Sequence, residues 1–201
     1  MKKIALVAFL LIAGATQAQK LKEIDGNPKD LKDIKEYALE FDYSNLEIPK
    51  YDSEEDFLAD KMKKREEKEA GTGEKFKASW FSDREEFYEP KFIESFNKRF
   101  DDGELSVSRE NAEAEYTMKV HSNKIYAGYN VGIVRKNAEI DVTFSIYETS
   151  NPGNVLFSGK FYDVQGYGAM GNDYNSGYRI SECYAKAAKS LAAYLKKKAL
   201  K

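Results

Sequence analysis

The chain has 201 residues, of which 42% are hydrophobic and 13% aromatic, and its formal net charge is −2. That apolar content excludes a disordered chain, and near-neutral charge of mixed sign argues against a general nucleic-acid binder. The length suits one domain built around one core.

Met1-Lys2-Lys3 is a basic start, Ile4 to Ala13 an apolar run, and Thr16-Gln17-Ala18 a set of small residues suited to cleavage. This order predicts a signal peptide over 1–18, with an apolar run too short to span a bilayer. Cleavage would remove Lys2 and Lys3, make the charge two units more negative, and leave Gln19 as the first residue. A lipoprotein needs cysteine there, so direct lipid attachment by that route is not expected. No second long apolar run follows, and a periplasmic or secreted protein is the expectation.

Residues 19–35 read as a polar lead with a turn-like Gly26-Asn27-Pro28. The domain is expected over 36–198. Tyr37, Leu39, Phe41 and Tyr43 alternate with polar residues, which predicts a first strand. A charged stretch at about 53–70 reads as an inserted helix, capped by Ser53 and ended by Gly71. Its few apolar residues fit a solvated helix or arm, with a partner-docking helix as the alternative. Beyond Trp80-Phe81, Ser82 and Glu85 form a capping-box pattern and Pro90 marks a restart or kink. Phe92, Ile93, Phe96 and Phe100 then recur at helical spacing, as a core-facing stripe does.

Leu105 and Val107 precede three strand patterns. These are Tyr116-Met118-Val120, continuing towards Ile125; Ile140-Val142-Phe144-Ile146; and Val155-Phe157-Phe161. Asn151-Pro152-Gly153-Asn154 suits a type II turn joining the last two as an antiparallel hairpin. From about Tyr178 to Lys198, the residues Ile180, Tyr184, Ala187, Ala188, Leu191 and Leu195 share one helical face. Each strand has one apolar and one polar face, so helices should cover a single side. The expected fold is therefore α+β, a two-layer sandwich with a mainly antiparallel four-stranded sheet.

The helix, then Gly103-Glu104-Leu105-Ser106-Val107, then Ala114-Glu115-Tyr116-Thr117-Met118-Lys119-Val120, then hairpin and closing helix resemble small bacterial envelope proteins. The order over Tyr37 to Leu195 is similar to the amino-terminal domain of TolB and to lipopolysaccharide-assembly-type envelope lipoproteins. The resemblance implies binding within the envelope; the chain departs from it by lacking the lipid-attachment cysteine and by carrying the charged insertion.

Few residues suggest catalysis. Cys183 is the only cysteine, so no intramolecular disulfide forms, and its helical setting reads as a small buried hydrophobe. The one histidine, His121, falls on a polar strand face; a hydrolase using it with Asp141 and Glu139 is the alternative reading, and no nucleophile-elbow motif accompanies it. Gly166-Tyr167-Gly168-Ala169-Met170-Gly171 matches GxGxxG, but no later strand completes a dinucleotide-binding unit, so it reads as a loop. No cofactor or metal is expected. Tyr126 and Tyr129 flank Gly128, and Tyr167, Tyr174 and Tyr178 lie among glycines and asparagines, the composition of adaptable binding loops. These five tyrosines are the candidate partner- or ligand-binding residues. Lys196, Lys197, Lys198 and Lys201 could touch anionic lipid, although such ends usually solubilise. The expected function is non-catalytic: an exported binding, accessory or structural protein of the envelope, acting on an envelope protein or cell-surface component. A carrier with an apolar pocket between sheet and helices is a further alternative.

Overall fold

A computed structural model describes residues 19–101, 103–131, 133–166 and 175–201. The segment expected to be a signal peptide, 1–18, lies outside the described residues. The first elements are the strands Lys22–Gly26 (β1) and Glu36–Asp42 (β2) and the helices Glu54–Glu66 (α1), Thr72–Asp83 (α2) and Glu89–Asn97 (α3). The strands Ser106–Ser108 (β3), Tyr116–Tyr126 (β4), Tyr129–Asn130 (β5), Arg135–Lys136 (β6), Glu139–Glu148 (β7) and Asn151–Gln165 (β8) follow, before the helix Ser176–Lys198 (α4).

The fold is α+β, but the main sheet has six strands rather than four, in the order β1-β8-β7-β4-β2-β3. It is also mixed. β2 runs parallel to both β3 and β4, and the other neighbours are antiparallel. Three helices separate β2 from β4, so the chain has returned to the starting end of β2 when the next strand begins, as a parallel pair requires. The extra edge strand comes from the segment read as a polar lead. All five residues of β1 are exposed, so backbone pairing rather than an apolar face holds it to β8. Leu21, just before it, is buried over Gly159, where a Cβ would lie 2.7 Å from a Leu21 methyl carbon.

The charged insertion folds back on the domain. Ser53 Oγ accepts the Asp56 N–H at 3.0 Å, capping α1, and Phe57 and Leu58 are buried. Gly71 takes φ +79° in the turn to α2, and the Glu66 carboxylate accepts the N–H groups of Gly71 and Gly73. The expected capping box at Ser82 is absent, since Ser82 lies inside α2. Helix α2 continues through a π-helical stretch, Arg84–Tyr88, directly into α3 with Pro90 in its first turn. A wider turn there accommodates a residue that lacks an N–H, so the proline breaks nothing.

The hairpin turn also differs from expectation. Glu148 pairs with Asn151 and Tyr147 with Val155, so Thr149-Ser150 form the turn and Pro152–Asn154 bulge from β8. Thr149 decides this, because its N–H donates to Glu115 O at 2.8 Å and its Oγ1 to Ala114 O at 2.7 Å.

The core lies between α3, α4 and one sheet face. Met118, Val120, Ile140, Val142, Phe144, Ile146, Phe157 and Phe161 are buried there against Phe92, Phe96, Leu191 and Leu195. Tyr88 stacks on Tyr184 with ring centroids 5.3 Å apart, and the Tyr184 hydroxyl lies 2.6 Å from Ser122 Oγ. The opposite face carries ion pairs, including Lys119 with Glu40 and Asp42. Two bulges bend one end of the sheet, one at Ser122–Lys124 in β4 and one near Asp163 in β8, which has φ +51°. Lys124 ties them together through Glu139, Asp141 and Asp163, and those carboxylates raise its pKa although burial alone would lower it. The first bulge lets Ser122 and Ile125, three positions apart, both face inward.

Candidate functional site

Beyond that bent end, β4 runs into Ala127-Gly128 and then the β5–β6 ribbon, opposite the α1–α2 pair. Between them lies a cleft of about 430 Å³. One wall is aromatic. The Phe57 ring is 4.8 Å from Trp80 and 5.3 Å from Tyr51, and Phe76 lies 6.0 Å from Phe57. Tyr126 and Tyr129 form part of the facing wall. The helical spacing of Phe76 with Trp80, and of Lys61 with Arg65, brings these side chains to the same opening.

The electrostatics are one-sided. Lys50, Lys61, Arg65 and Arg179 line the cleft, and no aspartate or glutamate does among the described residues. Arg179 serves the frame: its Nε donates to Ala127 O at 3.1 Å and its Nη2 to Gly128 O at 3.4 Å, so the first turn of α4 holds the base of the ribbon. Lys61 donates to the Tyr51 hydroxyl at 2.8 Å and lies over its ring, with Asp60 alongside at 3.4 Å. Arg65 differs from both. Its guanidinium sits 3.8 Å over the Phe76 ring and donates to Lys61 O at 3.3 Å, yet it forms no ion pair among the described residues. Burial pushes its pKa below the usual arginine value. A cation held against an aromatic face without a carboxylate is placed to receive an anion.

A second depression of about 670 Å³ shares Arg65, Phe76, Trp80 and Ser176 with the first. It also contains Asp83 and Glu86, so its charge is balanced. Asp83 is buried against Gly177, and burial, followed by the Glu86 carboxylate, pushes its pKa up to about 6.

The five candidate tyrosines therefore separate. Tyr126 and Tyr129 share the cleft. Tyr178 stands at the start of α4, its ring 4.7 Å from Phe87, which lines the second depression. Tyr167 and Tyr174 lie outside the described residues, as does the glycine motif apart from Gly166. That glycine packs on α4, its N–H 3.2 Å from Cys183 Sγ, and a Cβ there would meet Cys183 N at 2.6 Å. Cys183 is fully buried, and its burial pushes the thiol pKa up to about 12. His121 pairs through Nδ1 with Asp42 at 3.0 Å, while Asp141 and Glu139 converge on Lys124. The Asp42 pKa is drawn up by desolvation but more than offset by hydrogen bonds from Lys119, Ser44 and His121, which hold it well below the usual carboxylate range.

Among the described residues no group of three or more His, Cys, Asp or Glu could hold a metal ion, and no helix is long and apolar enough to cross a membrane. Sequence reasoning missed Tyr51, Phe57, Lys61, Arg65, Phe76 and Trp80. Its available signal was the pair of i,i+4 spacings, cationic on α1 and aromatic on α2.

No family model matches the chain, and no curated protein does. Similar solved structures include a point variant of the PelC dodecamer from Paraburkholderia phytofirmans, 14% identical, covering 87% of this chain and 99% of that one at a TM-score of 0.40. Another PelC dodecamer from the same organism is 13% identical, covering 86% and 96% at a TM-score of 0.38.

Proposed function

We propose that this is an exported, non-catalytic binding protein of the bacterial envelope, and that the cleft between the α1–α2 pair and the end of β4 takes its ligand. One observation carries the reading: Arg65 lies on Phe76 without a carboxylate partner, in a cleft whose described lining includes no acid. The ligand class follows from this lining. Flat aromatic walls suit a carbon-rich face, such as a sugar ring or an apolar side chain, and the cations suit an attached anionic group. Export rests on the basic-apolar-small pattern of residues 1–18. The residues expected of a hydrolase favour the binding reading, because His121 and the Asp141–Glu139 pair engage different partners.

Trp80 is the only tryptophan and lines the cleft, so its fluorescence reports occupancy. Acidic oligosaccharides and anionic acyl compounds, titrated beside their neutral counterparts, should shift Trp80 emission in the anionic series alone. Arg65→Met should weaken that response about tenfold, as loss of one charge-assisted contact does. A response equal for neutral and anionic compounds, or indifferent to Arg65→Met, would refute the proposed recognition.

A further inference from the structure

The three most exposed large apolar side chains of the described residues are gathered at one turn. Val131 is 68% exposed, Ile133 102% and Val134 49%, at the tip of the β5–β6 ribbon. The Val131 N–H donates to Val134 O at 3.0 Å, which closes the turn and directs aliphatic side chains outward. At the base, Arg179 grips Ala127 and Gly128, so a held stalk presents the tip. Tyr129, 42% exposed, and Tyr126 stand behind it, with Lys136 Nζ 4.7 Å over the Tyr126 ring. From Ala127 to Ala138 the sequence has Arg135 and Lys136 and no acidic residue, in a chain of net negative charge.

We infer that this tip inserts into the interfacial layer of an anionic lipid bilayer, seating the cleft beside the membrane surface. Aliphatic side chains at the point, tyrosines one step back and cations beside them match the order of acyl chain, interface and headgroup. A protein partner fits less well. Three side chains on a narrow convex turn fall far short of the ~800 Å² per partner that stable protein interfaces bury. A fluid bilayer needs no matching groove. The inference stands whether or not the cleft takes the ligand proposed above.

The test is co-sedimentation of the chain from Gln19 onward, which holds every described element, with phosphatidylcholine vesicles prepared with and without phosphatidylglycerol. The expected result is binding to the anionic vesicles that falls as salt rises and drops about tenfold or more in Ile133→Asp. Because Ile133 is fully exposed, the variant should unfold at the same urea concentration as the parent. Val131→Ser with Val134→Ser should reproduce the loss without adding charge. Absence of binding, binding equal on neutral vesicles, or binding unchanged by both variants would overturn the inference. So would concentration-dependent self-association in sedimentation velocity that the same variants abolish while vesicles remain unbound, since the tip would then meet a second copy.

Discussion

Replacing Asp83 by asparagine tests how the end of α2 is held against the start of α4. Asp83 is 6% exposed, and a Cβ on Gly177 would lie 2.4 Å from its Oδ2, so the carboxyl packs directly on the first turn of α4. Burial first, and the Glu86 charge second, raise its pKa from 3.8 to about 6. A carboxyl whose folded pKa lies above its unfolded value binds its proton more tightly in the folded state. Stability is therefore gained as pH falls from 6 towards 4 and lost as pH rises through 6. A shift of roughly two units corresponds to about 3 kcal/mol at most, and the positive end of α4 would offset about 1 kcal/mol of that. Asp83→Asn should accordingly stabilise the protein by about 2 kcal/mol near pH 8 and change it by less than about 0.5 kcal/mol near pH 3.5, below the unfolded pKa. Urea unfolding followed by Trp80 fluorescence at the two pH values gives both numbers, and comparing variant with parent cancels the other titrating groups. Destabilisation of more than about 1 kcal/mol near pH 8 would refute the reasoning, because the helix end would then be holding the charged carboxylate more strongly than burial opposes it.

Two further outcomes test the surroundings of the cleft. Gly128 has φ +61°, and a Cβ there would sit 2.4 Å from Lys136 O, so Gly128→Ala should force the β5–β6 ribbon off its base. Tryptic cleavage after Arg135 or Lys136 should then become about tenfold faster, through loss of local protection; an unchanged rate would show that the ribbon is anchored elsewhere. Cys183 should resist a water-soluble disulfide reagent in the native protein near pH 8 and react fully in urea, because its thiol is buried and its pKa is pushed up to about 12. Reaction at the rate of a free thiol without urea would contradict that burial.

Much of the fold was readable where periodicity and burial coincide. The α4 stripe from Ile180 to Leu195, the phenylalanines of α3 and the alternation in β4 and β7 each announce their element and their inward face. Strand β1 was hidden because it buries none of its own side chains, so Lys22–Gly26 lacks a period-two signal. The parallel pairing of β2 was hidden for a different reason: it depends on where three intervening helices return the chain, which no local pattern encodes. Pro152-Gly153 carried a strong turn signature that lost to the hydrogen bonds of Thr149. At the site, the glycine between Tyr126 and Tyr129 exposed half of the cleft. The other half stayed hidden because Arg65, Phe76 and Trp80 lie on helices whose sparse apolar residues resemble those of a solvated arm.

The π-helical stretch at Arg84–Tyr88 sets the rotational phase between two parts of one helical rod. An α-helix turns about 100° per residue, so the extra residue absorbed by a π-turn rotates everything beyond it by about that angle. Phe76 and Trp80 before the stretch face the cleft, whereas Phe92 and Phe96 after it face the sheet. A uniform α-helix of the same sequence would satisfy only one of those directions. The rod therefore carries the cleft wall and the core stripe as a single piece with a fixed angular offset. Shortening it by one residue between Arg84 and Tyr88 would let the stretch close into a regular α-helix with wall and stripe still in phase, whereas straightening it at full length would turn either the aromatic wall away from the opening or the phenylalanines out of the core.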